Sequence, residues 1–175
     1  TTGEGGVAFT NQGDIYEKLR RLRSHGITSE PHWMSKTPKD EVWNYQQLEL
    51  GLNLRMTDFQ AALGTAQLAK LDSFIAKRAR LASVYLQSLP PLLQAITDSD
   101  LSLSSHHLFV VRYEEFGKDR TQRSLLSFLR SNGIEANLHY TPVHLHPFYQ
   151  KLGFKPGDFP AAERHHKKSI SLPIH

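Results

Sequence analysis

The stretch that most limits the fold begins at Thr57. Thr57 and Gln60 have the spacing of a capping box, in which each residue's side chain meets the other's backbone at a helix start. Phe59, Leu63, Ala66, Leu71, Phe74, Ile75, Ala82 and Tyr85 then supply an apolar face at helical spacing. Pro90 and Pro91 end it, since proline lacks the amide hydrogen and its ring collides with the preceding turn. The spacing therefore predicts one helix over residues 57–89. A helix of that length bridges two parts of a protein and does not stay inside a small core.

On its N-terminal side, residues 6–10 read as a short apolar strand followed by turn residues. Asp14 and Glu17 have the form of a helix cap and its partner, and Ile15, Leu19 and Leu22 predict a helix over 15–24 stopped by Gly26. Residues 27–50, with Pro31, Trp33, Pro38 and Trp43, read as a long irregular segment of the kind that is functional or mobile. Beyond the long helix, residues 94–105 read as a polar connection. Strands are expected over 107–113, 135–140 and 169–174. Helices are expected over 121–131, with Leu125, Leu126, Phe128 and Leu129 inward and Asn132-Gly133 as the stop, over 147–152, and from Pro160 to Lys168. That order makes an α/β layer, and it divides the chain into residues 1–56, a connecting helix over 57–89, and a small domain over 90–175.

Composition narrows the function classes. Hydrophobic residues make up 39% and charged residues 22%, the balance of a folded soluble chain. No apolar run approaches the ~20 residues of a membrane span, and the first residues lack the pattern of a secretory signal. Cysteine is absent, which excludes disulfides and thiolate chemistry and leads us to expect a cytoplasmic protein. The net charge of +4 and pI of about 9.4 invite a nucleic-acid reading. The basic residues are spread over helical faces, and no nucleic-acid-binding motif accompanies them, so none is expected.

Two clusters carry the candidate chemistry. The first, Gly51 to Asp58, places the Asn53 amide and the Arg55 guanidinium just before a capped helix start, where the helix dipole and free N–H groups favour an anion. A loop Asn and a surface Arg are the plainer alternative. The second, His139-Tyr140-Thr141-Pro142-Val143-His144-Leu145-His146, holds three histidines. In a strand His144 and His146 would share one face and His139 would take the other. No carboxylate lies in the run and Pro142 breaks it, so substrate hydrogen bonding or loop structure is preferred to a metal site. The pairs His106-His107 and His165-His166 read as structural or exposed. Gly3-Glu4-Gly5-Gly6 matches no phosphate-loop pattern and reads as a tight turn.

Taken in order, several of these stretches resemble one family. They are Thr1-Thr2-Gly3-Glu4-Gly5-Gly6, Arg23-Ser24-His25-Gly26-Ile27, the run from Gly51 to Gly64, Gln67 to Asp72, His139 to His144, and Ser171-Leu172-Pro173. Together they resemble the DegT/DnrJ/EryC1/StrS sugar aminotransferases along essentially the whole chain. The resemblance implies the C-terminal portion of a fold-type-I transferase dependent on pyridoxal 5'-phosphate (PLP), homodimeric, with its sites at the subunit interface. It implies transfer of an amino group, typically from glutamate, through pyridoxamine phosphate to a nucleotide-linked keto-sugar. It assigns Asn53 and Arg55 to the cofactor phosphate of the neighbouring subunit, and His139, Tyr140 and His144 to the neighbourhood of the sugar nucleotide. The family's cofactor-bearing lysine stands a few residues before the Thr-Thr-Gly-Glu-Gly-Gly run and so has no counterpart from Thr1 onward. The family's final helix after the Leu-Pro motif is also missing. This chain alone is therefore expected to be inactive. A sugar dehydratase of the same family and a non-catalytic interaction module built on the fold are the alternatives.

Overall fold

The computed structural model describes residues 1–35, 41–96, 104–114 and 121–175. They fall into two compact units, Thr1–Lys70 and Leu71–His175. In the first, helix α1 spans Gly13–Leu22. It starts two residues before the expected Ile15, capped by Gln12 without a side-chain bond, so Asp14 lies inside the first turn and complements the helix dipole there. Glu17 pairs with Arg20 at 3.4 Å instead of reaching back to a cap.

The helix also ends early. After Leu22 the chain turns through His25 (φ 62°) and Gly26 (φ 71°), and the Gly26 amide donates to the Arg21 carbonyl. Both Gly26 and Gly51 are required at this turn. A Cβ on Gly26 would stand 1.8 Å from the Glu49 carbonyl oxygen, and one on Gly51 would stand 2.3 Å from the Gly26 nitrogen. The segment expected to be irregular contains an antiparallel pair, β1 (Ile27–Thr28) and β2 (Gln46–Gln47), with Ile27 opposite Gln47. Pro38 lies outside the described residues.

Residues 6–10 form no strand among the described residues; Val7 and Phe9 stay largely exposed. A short apolar run alone makes no strand, because a strand's amides need a neighbouring ladder to pair with.

The capping box at Thr57 forms as its spacing predicts. Gln60 N–H donates to Thr57 Oγ1 and Thr57 N–H to Gln60 Oε1. The single long helix does not form. Helix α2 spans Asp58–Leu68, the backbone tightens as Lys70 N–H bonds the Gln67 carbonyl, and α3 runs over Leu71–Ser88. Asp72 sits in the first turn of α3, where a carboxylate suits a fresh helix start.

In the second unit a three-stranded antiparallel sheet runs in the order β3 (Leu93–Ala95), β4 (Phe109–Tyr113), β5 (Ser169–Leu172). Strand β4 is central, with Val111 opposite both Ala95 and Ile170. Its alternation is that of a half-buried strand: Phe109, Val111 and Tyr113 face the core while Arg112 is exposed. Strand β3 falls partly where a polar connection is expected; residues 97–103 of that connection lie outside the described residues. The core joins Ala82 of α3 to Phe109, Val111, Ala136, Ile170 and Ile174. Tyr85 packs against it, its ring 4.9 Å from that of Phe109 and its hydroxyl donating to the Pro173 carbonyl at 2.7 Å.

Helix α4 (Gln122–Ser131) ends at Asn132 and Gly133 (φ 77°) as expected, and Thr121, expected inside it, instead caps it in a capping box with Ser124. Leu125, Leu126 and Leu129 are half-buried, but Phe128, expected inward, is 62% exposed. Short helix α5 spans Pro147–Gln150, and α6 spans Pro160–Lys168 with Pro160 in the first turn.

The strand expected over 135–140 is reduced to one bridge between Asn137 and Ser171. Beside it Arg130 Nε donates to the Ala136 carbonyl and the Ala136 amide turns back to Ile134. Turn and side-chain bonds there take the groups a ladder needs.

Candidate functional site

In the first unit, residues 52–54 lie against the end of α1. Leu52 N–H bonds the Leu22 carbonyl, His25 N–H bonds the Leu52 carbonyl, and Leu54 N–H bonds the Arg23 carbonyl, at 2.8–2.9 Å. Asn53 itself bridges Ser24. Arg21 braces the turn from behind, with Nε 3.0 Å from Glu49 Oε1 and its guanidinium 4.9 Å from the centre of the Trp33 ring. The Arg-Ser-His-Gly and Gly-Leu-Asn-Leu-Arg stretches are thus two halves of one packed turn.

That packing leaves Asn53 and Arg55 exposed, and neither side chain has a partner among the described residues. Arg55 stands two residues before the Thr57 cap of α2. Two neutral donors on an amide and a permanently charged fork of five, beside a helix N-terminus, form a donor set suited to a phosphate. The N-terminal run lies close by, since Gln60 Nε2 donates to the Glu4 carbonyl and a Cβ on Gly64 would approach Thr2 Cγ2 at 3.1 Å.

The histidine cluster lies in the second unit and is not a strand. Residues 143–145 form a single 3-10 turn, which sends His144 inward and leaves His146 exposed, so the two do not share a face as strand spacing suggests. His139 is half-buried with Nδ1 2.8 Å from Ser171 Oγ. Tyr140 is 71% exposed, its ring edge-on to that of His139 at 4.6 Å. His144 is 6% exposed; its Nε2 lies 2.9 Å from Glu163 Oε1 and its ring packs on Phe159. The same Glu163 oxygen accepts the Gly157 amide at 2.7 Å.

Hydrogen bonds from His144 and from the Gly157 amide hold the Glu163 carboxyl below its ordinary range, against the opposing pull of desolvation. Glu163 and Ser171 escaped the sequence reading. The trace of Glu163 is a carboxylate in the first turn after Pro160, and Ser171 figures only as part of a short terminal strand and of the Ser171-Leu172-Pro173 stretch, with no role read for its hydroxyl. Among the described residues no group of three or more His, Asp or Glu side chains is placed to hold a metal ion. No helix among them is long and apolar enough to cross a membrane.

With this geometry in hand, comparison with known proteins gives a uniform result. All of residues 1–175 match the DegT/DnrJ/EryC1/StrS aminotransferase family. A UDP-4-amino-4,6-dideoxy-N-acetyl-beta-L-altrosamine transaminase of Campylobacter jejuni is 32% identical over the whole chain, which covers 44% of that protein. PseC of Helicobacter pylori, an aminotransferase involved in the biosynthesis of pseudoaminic acid, superposes on 95% of the chain with a TM-score of 0.73 and 28% identity, 42% of PseC being covered. Spr1654 of Streptococcus pneumoniae, solved in apo, PMP and PLP forms, superposes on 97% of the chain with a TM-score of 0.79 and 24–25% identity, with 40–41% of its own chain covered. The chain therefore spans less than half the length of the proteins it matches. Its mixed α/β structure is part of a fold-type-I PLP-dependent transferase, and the chain belongs to the DegT/DnrJ/EryC1/StrS aminotransferase family.

Proposed function

We propose that the whole protein carrying this chain is a cytoplasmic, homodimeric aminotransferase. It moves an amino group from a donor such as glutamate to a nucleotide-linked keto-sugar, in the biosynthesis of pseudaminic acid or a related surface glycan. The observation that carries this reading is the pair Asn53 and Arg55, exposed and without side-chain partners among the described residues, on a packed turn just before α2.

Bound PLP, or its pyridoxamine form, supplies the group carrier and electron sink for the amine. This chain's contribution is to binding. Arg55 would hold and neutralise the phosphate of the cofactor in the neighbouring subunit, and the Asn53 amide would add an uncharged donor. In the second unit, Tyr140 offers an exposed ring and hydroxyl and His139 a fixed imidazole toward the sugar nucleotide. His144 acts from behind them, because it is buried against Glu163. The covalent centre is not assigned to any residue of this chain.

The test is direct. The complete protein, loaded with PLP and given glutamate and a 4-keto-6-deoxy UDP-sugar, should yield an amino sugar detectable by mass spectrometry. Dehydrated product in place of amino sugar would overturn the reading in favour of a dehydratase. No conversion by a PLP-loaded protein would overturn it in favour of a non-catalytic role.

A further inference from the structure

We infer that Glu163 and Ser171 are positioning residues that clamp the two ends of the 139–144 segment and so hold Tyr140 in its presented place. The inference rests on the reading above, in which that segment meets the sugar nucleotide. The segment runs from the isolated bridge at Asn137 to the 3-10 turn over Val143–Leu145, and among the described residues no ladder supports it between those points. Within it, the side chains of His139 and His144 tie it to β5 and α6.

At the first end Ser171, 5% exposed on β5, holds His139 Nδ1 with its hydroxyl while its own backbone exchanges both bonds with Asn137. Three bonds from one buried residue thus meet the start of the segment. At the other end Glu163 of α6 holds His144 Nε2 and, through the same oxygen, the Gly157 amide. One carboxylate thereby ties the 3-10 turn and the loop after α5 to the first turn of α6. Between the clamps Tyr140 is 71% exposed, and its ring stands edge-on to the restrained His139 ring.

A clamp of this kind changes affinity for the ligand that the segment touches and leaves the other half-reaction alone. The experiment is steady-state kinetics on the complete PLP-loaded enzyme, with the sugar nucleotide and the amino donor varied separately. The variants are Glu163→Ala, Glu163→Gln, Ser171→Ala and Ser171→Thr. Glu163→Ala and Ser171→Ala should each raise the sugar-nucleotide KM about tenfold, with the donor KM and the cofactor absorbance unchanged. Glu163→Gln and Ser171→Thr, which keep an acceptor and a hydroxyl, should recover most of the loss.

An unchanged sugar-nucleotide KM in variants that melt like wild type would overturn the inference and leave the proposed activity standing. Equal losses for both substrates, or loss of cofactor, would show a merely structural role and overturn it too. If the wild-type enzyme turns over no sugar nucleotide, the proposed activity fails first. Fluorotyrosine NMR of the complete protein then decides the clamp alone. A Tyr140 signal that shifts or broadens in Ser171→Ala and Glu163→Ala supports it, and an unmoved signal overturns it.

Discussion

Asn53 bridges Ser24, and that pairing places two remote stretches of the sequence side by side at the end of α1. The contact is possible only because Gly26 and Gly51 have no side chains. A Gly26→Ala variant would meet the Glu49 carbonyl at 1.8 Å and force alanine to φ 71°. A non-glycine residue held at positive φ costs about 1–3 kcal/mol before any clash is counted. We predict a loss of stability of at least that size in urea denaturation, with weaker PLP binding by the complete enzyme, because the turn that aims Asn53 and Arg55 is displaced.

The two capping boxes should behave alike. Replacing a capping threonine by alanine typically costs about 1 kcal/mol. Thr57→Ala and Thr121→Ala should each lower stability by roughly that amount, and Thr→Asp at either cap should restore most of it. Thermal melts compared at equal protein concentration check this.

Tyr85 couples α3 to the chain after β5 through its hydroxyl bond to the Pro173 carbonyl. Removing that hydroxyl with Tyr85→Phe should cost about 1 kcal/mol, the net worth of an ordinary hydrogen bond. Burial raises the Tyr85 pKa above its ordinary value of 10.0, so the folded state favours the neutral phenol. The associated stability is complete below pH 10 and is lost as the pH rises toward the raised folded value. Tyr85→Phe should flatten that alkaline decline.

Glu163 has the opposite sign. Its carboxyl is held below the ordinary value of 4.5 by His144 and the Gly157 amide. Its contribution is present above pH 4.5 and is lost as the pH falls through the lowered folded value. Glu163→Gln should therefore show a shallower loss of stability in acid than wild type, measured by urea midpoints from pH 6 downward.

What could be read from the sequence was whatever local chemistry dictates. The Thr57 box, the Thr121 helix with its Asn132-Gly133 stop, and Pro160 at the start of α6 all follow from residue types next to one another. What could not be read depends on remote partners. The break at Ala69–Lys70 interrupts an unbroken apolar pattern, and among the described residues, 6–10 find no ladder while 135–140 make only the bridge from Asn137 to Ser171. At the candidate site, the place of Asn53 and Arg55 before a cap is a local signal, and their assignment to a phosphate comes from the family resemblance. The pairing of His144 with Glu163 spans nineteen positions and nothing near His144 announces it.

The central claim is that this chain holds the phosphate of PLP through Asn53 and Arg55. Spectroscopic titration of the complete enzyme with PLP, in wild type and in Asn53→Ala and Arg55→Ala, tests it most directly. A hydrogen bond to a charged group is worth about 1.5–3 kcal/mol, so each variant should bind PLP roughly ten- to a hundredfold more weakly. Inorganic phosphate should compete with PLP in the wild type and much less in Arg55→Ala. Unchanged PLP affinity in both variants would contradict the account.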